Sequence, residues 1–202
     1  MSIELIYSKL SGFGPGAMIA TTDGELPVEW LEPGDCVLTR DRGPQPILAI
    51  KRSRGVGPEG RPLLPPVHLR PADKGTLHGV QSALRLSPHH KVLVQDDRKE
   101  AIAEIAALSR RRGPRRDPGA PALAYHHILT SQHDLILTCG IWAETTGPAV
   151  ARLLNLPRSI RRACEGLFDN CPPPRPCLTW PEARALRDKL NPELSLLHLF
   201  AA

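Results

Sequence analysis

Short apolar runs separated by turns dominate the first two thirds of the chain. Met18-Ile19-Ala20 is followed by Asp23-Gly24, then Val28 and Leu31, then Glu32-Pro33-Gly34-Asp35, then Val37-Leu38. Apolar runs of that length, broken about every ten residues by turn-forming residues, predict the short strands of an all-β domain. Gly43-Pro44-Gln45-Pro46 marks another turn, Ile47 to Lys51 a strand, residues 53 to 66 a Gly/Pro-rich loop and Val67 to Arg70 a strand. From Leu84 to Val94 two alternating apolar segments flank the polar kink Ser87-Pro88-His89-His90. The period then changes. Ala101, Ile102, Ile105, Ala106 and Leu108 recur at helical spacing and Asp97 with Glu100 forms a capping pair, which predicts a helix over Asp97 to Leu108. Tyr125 to Leu129 and Leu135 to Leu137 read as strands, and Gly140 to Glu144 closes the β region.

Beyond about Pro148 the pattern turns helical. Val150 to Leu154 and Ile160 to Leu167 are separated by Pro157, and Cys171 to Cys177 holds four prolines and reads as a linker. Thr179-Trp180-Pro181-Glu182 is a capping box with Pro early in the helix, and Ala183, Leu186 and Leu190 share one helical face. Leu194 to Phe200 is a last apolar segment, expected to dock. The organisation is therefore a leader over residues 1–11 with weak strand-like alternation at Ile3, Leu5 and Tyr7, a β domain over 12–150, and a helical tail over 151–202.

Composition sharpens this picture in three ways. Proline, at 22 of 202 residues, disfavours long helices. The formal charge of +5 is concentrated in Arg110, Arg111, Arg112, Arg115 and Arg116, so the basic balance describes one loop and not a charged face. Five cysteines make neither an even disulfide framework nor a paired zinc pattern, which favours reduced thiols and a cytoplasmic setting. Met1 to Leu10 holds charges and no continuous apolar core, so no signal peptide is expected there, and no stretch approaches the roughly 20 apolar residues that span a bilayer.

The turn-and-strand unit from Ser11 to Arg40 also resembles the start of the Hint module, the self-processing domain of inteins and Hedgehog C-terminal domains, and in particular its bacterial branch. That pattern opens Cys-Phe-x-Pro-Gly and continues through Thr-x-x-Gly, Val-x-x-Leu, Pro-Gly-Asp and Val-Leu. Phe13, Pro15, Gly16, Thr21, Gly24, Val28, Leu31, Pro33, Gly34, Asp35, Val37 and Leu38 stand at those places. The departure is Gly12, which occupies the position of the nucleophilic Cys. The resemblance covers residues 11 to 150 and implies a mainly β, horseshoe-shaped domain of short strands with a helical C-terminal appendage.

The chemistry implied is an acyl shift: a thiol or hydroxyl attacks the preceding carbonyl, a second group protonates the departing amide, and donors hold the oxyanion. The family supplies the second need with Thr-x-x-His, and Ser87-Pro88-His89-His90 stands in that place, with Ser87 for Thr and His90 for His. Read structurally, His90 is a ring that bonds the backbone of the scissile loop without catalysing anything. His133, Gly140 and Glu144 fit the end of the bacterial module. Glu144-Thr145 replaces the His-Asn of inteins, so splicing is not expected. With Gly12 at the attack position, little or no self-cleavage is expected at Ser11–Gly12, and the alternative is a non-catalytic binding or scaffolding module on the same fold. Ser11 is a possible substitute nucleophile after a shift in register. Cys139 and Cys36 read either as relay thiols or as small buried apolar residues.

No cofactor is expected. His89, His90, His126, His127 and His133 give no metal pattern, because neighbours on a strand face opposite sides and a closed four-ligand spacing is missing. The Arg110 to Arg116 stretch has no aromatic interleaving, so a solvated loop is favoured over a nucleic-acid surface. An unidentified protein partner is compatible with the sequence; a membrane is not expected.

Overall fold

A computed structural model describes residues 9–69, 83–96, 99–109, 123–169 and 171–189. The leader alternation at Ile3, Leu5 and Tyr7, the Arg110–Arg116 stretch, Leu190 and the apolar segment 194–200 lie outside the described residues.

The chain is mainly β with short helices at its C-terminal end. Strands β1 (Met18–Thr21), β2 (Gly24–Pro27) and β3 (Cys36–Thr39) follow turns read from the sequence, whereas Gly43-Pro44-Gln45-Pro46, read as a turn, is itself strand β4 (Gly43–Pro46), an edge strand paired with β3 where prolines are tolerated, and β5 (Ala49–Arg54) follows it. They continue as β6 (Val67–Leu69), β7 (Leu84–Leu86), β8 (Lys91–Asp96), β9 (Lys99–Glu104), β10 (Ala124–Leu129), β11 (Leu135–Thr138) and β12 (Ile141–Glu144). The main sheet runs β2-β1-β3-β11-β12-β8-β9, with β4 against β3, and two antiparallel pairs, β10-β5 and β6-β7, stand beside it. All strand pairings are antiparallel, and Ile19, Val37, Val92, Ile128, Ile136 and Ile141 pack as one core.

The helical reading further along the chain is overturned as well. The helix expected over Asp97 to Leu108 is strand β9 running into a single turn, α1 (Ile105–Leu108). Ala101, Ile102 and Ala103 are all buried, because β9 is covered on both faces; a short apolar run buried on all sides fits either period. Glu100 caps nothing: its carboxylate bonds Arg40 and Arg175.

In the tail, α2 (Pro148–Leu153), α3 (Arg158–Ala163) and α4 (Glu165–Phe168) pack Ala151, Leu154, Leu156 and Leu167 against Leu129. The proline stretch read as a linker is a strap on the edge of β9. Ile102 N–H donates to Pro176 O at 2.9 Å, Leu178 N–H donates to Ile102 O at 2.9 Å, and Arg175 clasps Asp41 at 2.7 and 3.0 Å. Prolines suit such an edge, where few amide donors are needed. The capping box forms as read, with Thr179 N–H and Oγ1 on Glu182 Oε2 at 2.7 and 2.6 Å. It starts α5 (Trp180–Lys189), whose Ala183 and Leu186 join the main core.

Candidate functional site

The segment Ser11 to Gly14 threads between β7 and β10 as an extra strand. Phe13 and His126 exchange both backbone bonds at 2.9 and 2.8 Å, Ser87 N–H donates to Gly12 O at 3.0 Å, and Gly14 N–H donates to Arg85 O at 2.7 Å. Phe13 is fully buried, whereas positions 12 and 14 have no room for side chains. A Cβ on Gly14 would lie 2.7 Å from Arg85 Cβ; on Gly12 it would lie 2.9 Å from Tyr125 Cβ, 3.1 Å from His127 Cε1 and 3.2 Å from His126 O. These contacts are well inside the ~3.5–4.0 Å of carbon packing. Tyr125 cannot easily retreat, since its ring is buried with Leu10 and Leu63 and its hydroxyl donates to Leu64 O at 2.6 Å.

Both sides of the Ser11–Gly12 peptide are held by side chains. Ser11 O lies 2.8 Å from His127 Nδ1, and Gly12 N–H donates to Ser87 Oγ at 3.1 Å. A carbonyl only accepts, so Nδ1 carries the imidazole proton. The bare Nε2 then accepts from the Ser53 hydroxyl at 2.9 Å, which fixes the tautomer. Burial holds His127 down to about 4, partly opposed by the bond to Ser11, so the ring is neutral near pH 7. The register of β5 against β10 explains the grouping: Tyr125 pairs with Ser53 and His127 with Lys51, so Ser53 and His127 lie on one face of this strand pair.

His90 reaches the site differently. Its ring packs edge-on against Phe13 at 4.5 Å, and neither ring nitrogen makes a hydrogen bond of normal geometry although the residue is 1% exposed, the Glu144 backbone offering only a weak contact. Burial again dominates and lowers its pKa to about 4, with Glu144 opposing. His133 Nε2 bonds Glu144 Oε2 at 3.0 Å, Lys91 N–H donates to Glu144 Oε1 at 3.1 Å, and the His133 ring packs against Gly147. Burial disfavours the Glu144 carboxylate, yet His133 and Lys91 together hold its pKa below the ordinary value. Beside this group Arg42 clamps Asp134 at 2.8 and 2.7 Å and Thr130 Oγ1 donates to Asp134 at 2.8 Å, which stiffens the corner carrying His133.

Of the residues singled out by sequence, Ser11, Gly12 and Ser87 meet at one peptide bond. His90 lies against Phe13, and His133 pairs with Glu144. Sequence reasoning missed His127 and Ser53. The signal for His127 is a polar ring inside the strand read over Tyr125–Leu129; nothing local marks Ser53. The backbone role read for His90, bonding the scissile loop, belongs to His127. No cluster of three metal-ligating side chains occurs among the described residues, no described helix is long and apolar enough to cross a membrane, and the five cysteines form no disulfide.

A family model described as Hint domain matches residues 11–150. Among solved structures, the chain is similar to the gp41-1 intein at 12% identity, over 66% of this chain and 98% of that one, with a TM-score of 0.43. No curated protein matches.

Proposed function

We propose, for a chain that belongs to the Hint domain family, that the autoprocessing domain is degenerate: it keeps its grip on the Ser11–Gly12 peptide and has lost the group that would attack it. It acts on this reading as a non-catalytic binding or scaffolding module. The observation that carries the reading is the closure of position 12, where Tyr125 Cβ lies 2.9 Å from the place of any side-chain Cβ.

The remaining machinery is arranged for an acyl shift. Attack on the Ser11 carbonyl carbon would place charge on Ser11 O, where the His127 Nδ1–H already points. A neutral imidazole can donate there, and Ser53 keeps it in the donating tautomer. The departing Gly12 nitrogen faces Ser87 Oγ, and His90, one ring away behind Phe13, is the acid that the family pattern assigns. Ser11 does not fill the gap. The register Phe13↔His126 pins the strand, and a slip by one residue would reverse every side chain.

The test is Gly12→Cys, which supplies a thiol at a cost in packing. Incubated with a strong thiol and followed by intact mass, this variant is expected to lose some of its leader at the residue 11–12 bond. A folded variant that stays whole would mean that the loss extends beyond the nucleophile to the grip itself.

A further inference from the structure

The face of the β5–β10 strand pair opposite His127 carries a second group of polar residues. Ile50, Arg52 and Arg54 alternate on β5, and His126 lies opposite Arg52 in the pairing. With Glu29 they line a cleft of about 450 Å³ whose remaining wall is Val28, Leu31 and Pro33. His126 is 2% exposed, and neither of its ring nitrogens makes a hydrogen bond of normal geometry among the described residues, the Phe13 backbone offering only a weak contact. A buried imidazole without well-made bonds costs roughly 1–3 kcal/mol per unsatisfied group. Arg52 and Arg54 are exposed, and their guanidinium groups make no hydrogen bond or ion pair among the described residues. Glu29 is engaged, accepting from Gly16 N–H at 2.8 Å.

We propose that this cleft binds a monoanionic carboxylate with an apolar body, its carboxylate taken by Arg52, Arg54 and His126 and its body lying against Val28, Leu31, Pro33 and Ile50. Charge selects the class. Two arginines against one glutamate leave a single positive charge, which a carboxylate neutralises and a phosphate dianion exceeds. Guanidinium forks match the two carboxylate oxygens, and His126 supplies one N–H. The nitrogens of His126 are shut from water, so the ligand meets the long Arg52 and Arg54 side chains first and the imidazole as they swing inward. The site lies on the opposite face from His127, and its existence does not rest on the proposed loss of cleavage.

Free carboxylic acids and peptide C-termini share this chemistry, and titration of the 202-residue chain by calorimetry separates them. The probes are 4-methylpentanoate, its amide, the peptide Ala-Ala-Leu with a free or an amidated C-terminus, and inorganic phosphate. Saturable binding of a carboxylate probe, lost in its amide and weakened roughly tenfold or more in Arg52→Gln/Arg54→Gln, supports the site; the tighter carboxylate names the source. Both arginines are exposed, so that variant should fold, and an unchanged melting curve verifies it. His126→Phe, which keeps the packing and removes both nitrogens, should weaken the same probe. Equal binding of the amides, equal binding by the arginine variant, tighter binding of phosphate, or no binding of either carboxylate would overturn the proposal.

Discussion

Gly12→Ala isolates the closure of position 12 without adding any reactive group. The new methyl would sit 2.9 Å from Tyr125 Cβ, 3.1 Å from His127 Cε1 and 3.2 Å from His126 O. Two of these are a Cβ and a backbone oxygen, which move only if β10 moves, and β10 is tied to β5 along six paired positions. Forcing a methyl into such a site costs about 1–3 kcal/mol. Against it stands a gain of about 0.4–1 kcal/mol from stiffening the unfolded chain. The net loss centres on about 1.3 kcal/mol, with bounds of about 0 and 2.6, and for a chain of this size the central value lowers Tm by roughly 3–5 °C. Gly166→Ala is the control: its Cβ meets only Ser131 O, at 3.4 Å, and it lies in helix α4, where alanine gains about 0.5–1 kcal/mol. Thermal unfolding followed by circular dichroism reads both. A Gly12→Ala chain that melts at or above the wild-type temperature would refute the reasoning that the attack position is filled.

Acid should weaken the fold well above the carboxylate range. Unfolded histidine takes up its proton near pH 6.5, whereas His90 and His127 resist until about 4, so their contribution is fully present above pH 6.5 and is lost as pH falls toward 4. The loss is about 1.4 kcal/mol per pH unit for each ring. A urea midpoint that stays flat from pH 7 to 5 would contradict this. His90→Leu removes one of those rings together with its two poorly bonded nitrogens, and should leave stability at pH 7 equal or higher by about 1 kcal/mol; a loss above about 2 kcal/mol would show that the ring is well bonded. Arg175→Ala unfastens the strap from Asp41 and Glu100, with a small global cost below about 1 kcal/mol but faster hydrogen exchange at Ile102 and Leu178. Unchanged exchange at both amides would place the strap's anchorage elsewhere.

The part of this fold legible in the sequence is the part set by local chemistry. Asp23-Gly24, Glu32-Pro33-Gly34-Asp35 and the Thr179–Glu182 box act through their own backbone, and strands and helix followed where they stand. Lys99 to Glu104 was misread because burial on two faces erases the alternation that distinguishes strand from helix. The strap was hidden for a related reason: its partner, Ile102, lies far away in sequence, and proline content alone suggests a spacer. At the site, the absent nucleophile could be read directly from Gly12 and the contact of Ser87 from its motif. His127 could not, since its role depends on a carbonyl 116 residues away and on a hydroxyl contributed by β5. Nor does any local pattern announce that Tyr125 occupies the space beside Gly12.

The central claim is that the Ser11–Gly12 bond is gripped and never attacked. It is tested most directly by the intact mass of the wild-type chain, carrying a short peptide extension ahead of Met1, during prolonged incubation with a strong thiol at neutral pH. The account predicts one species at the full mass throughout. Appearance of a fragment beginning at Gly12, or one beginning at Ser11, would contradict it.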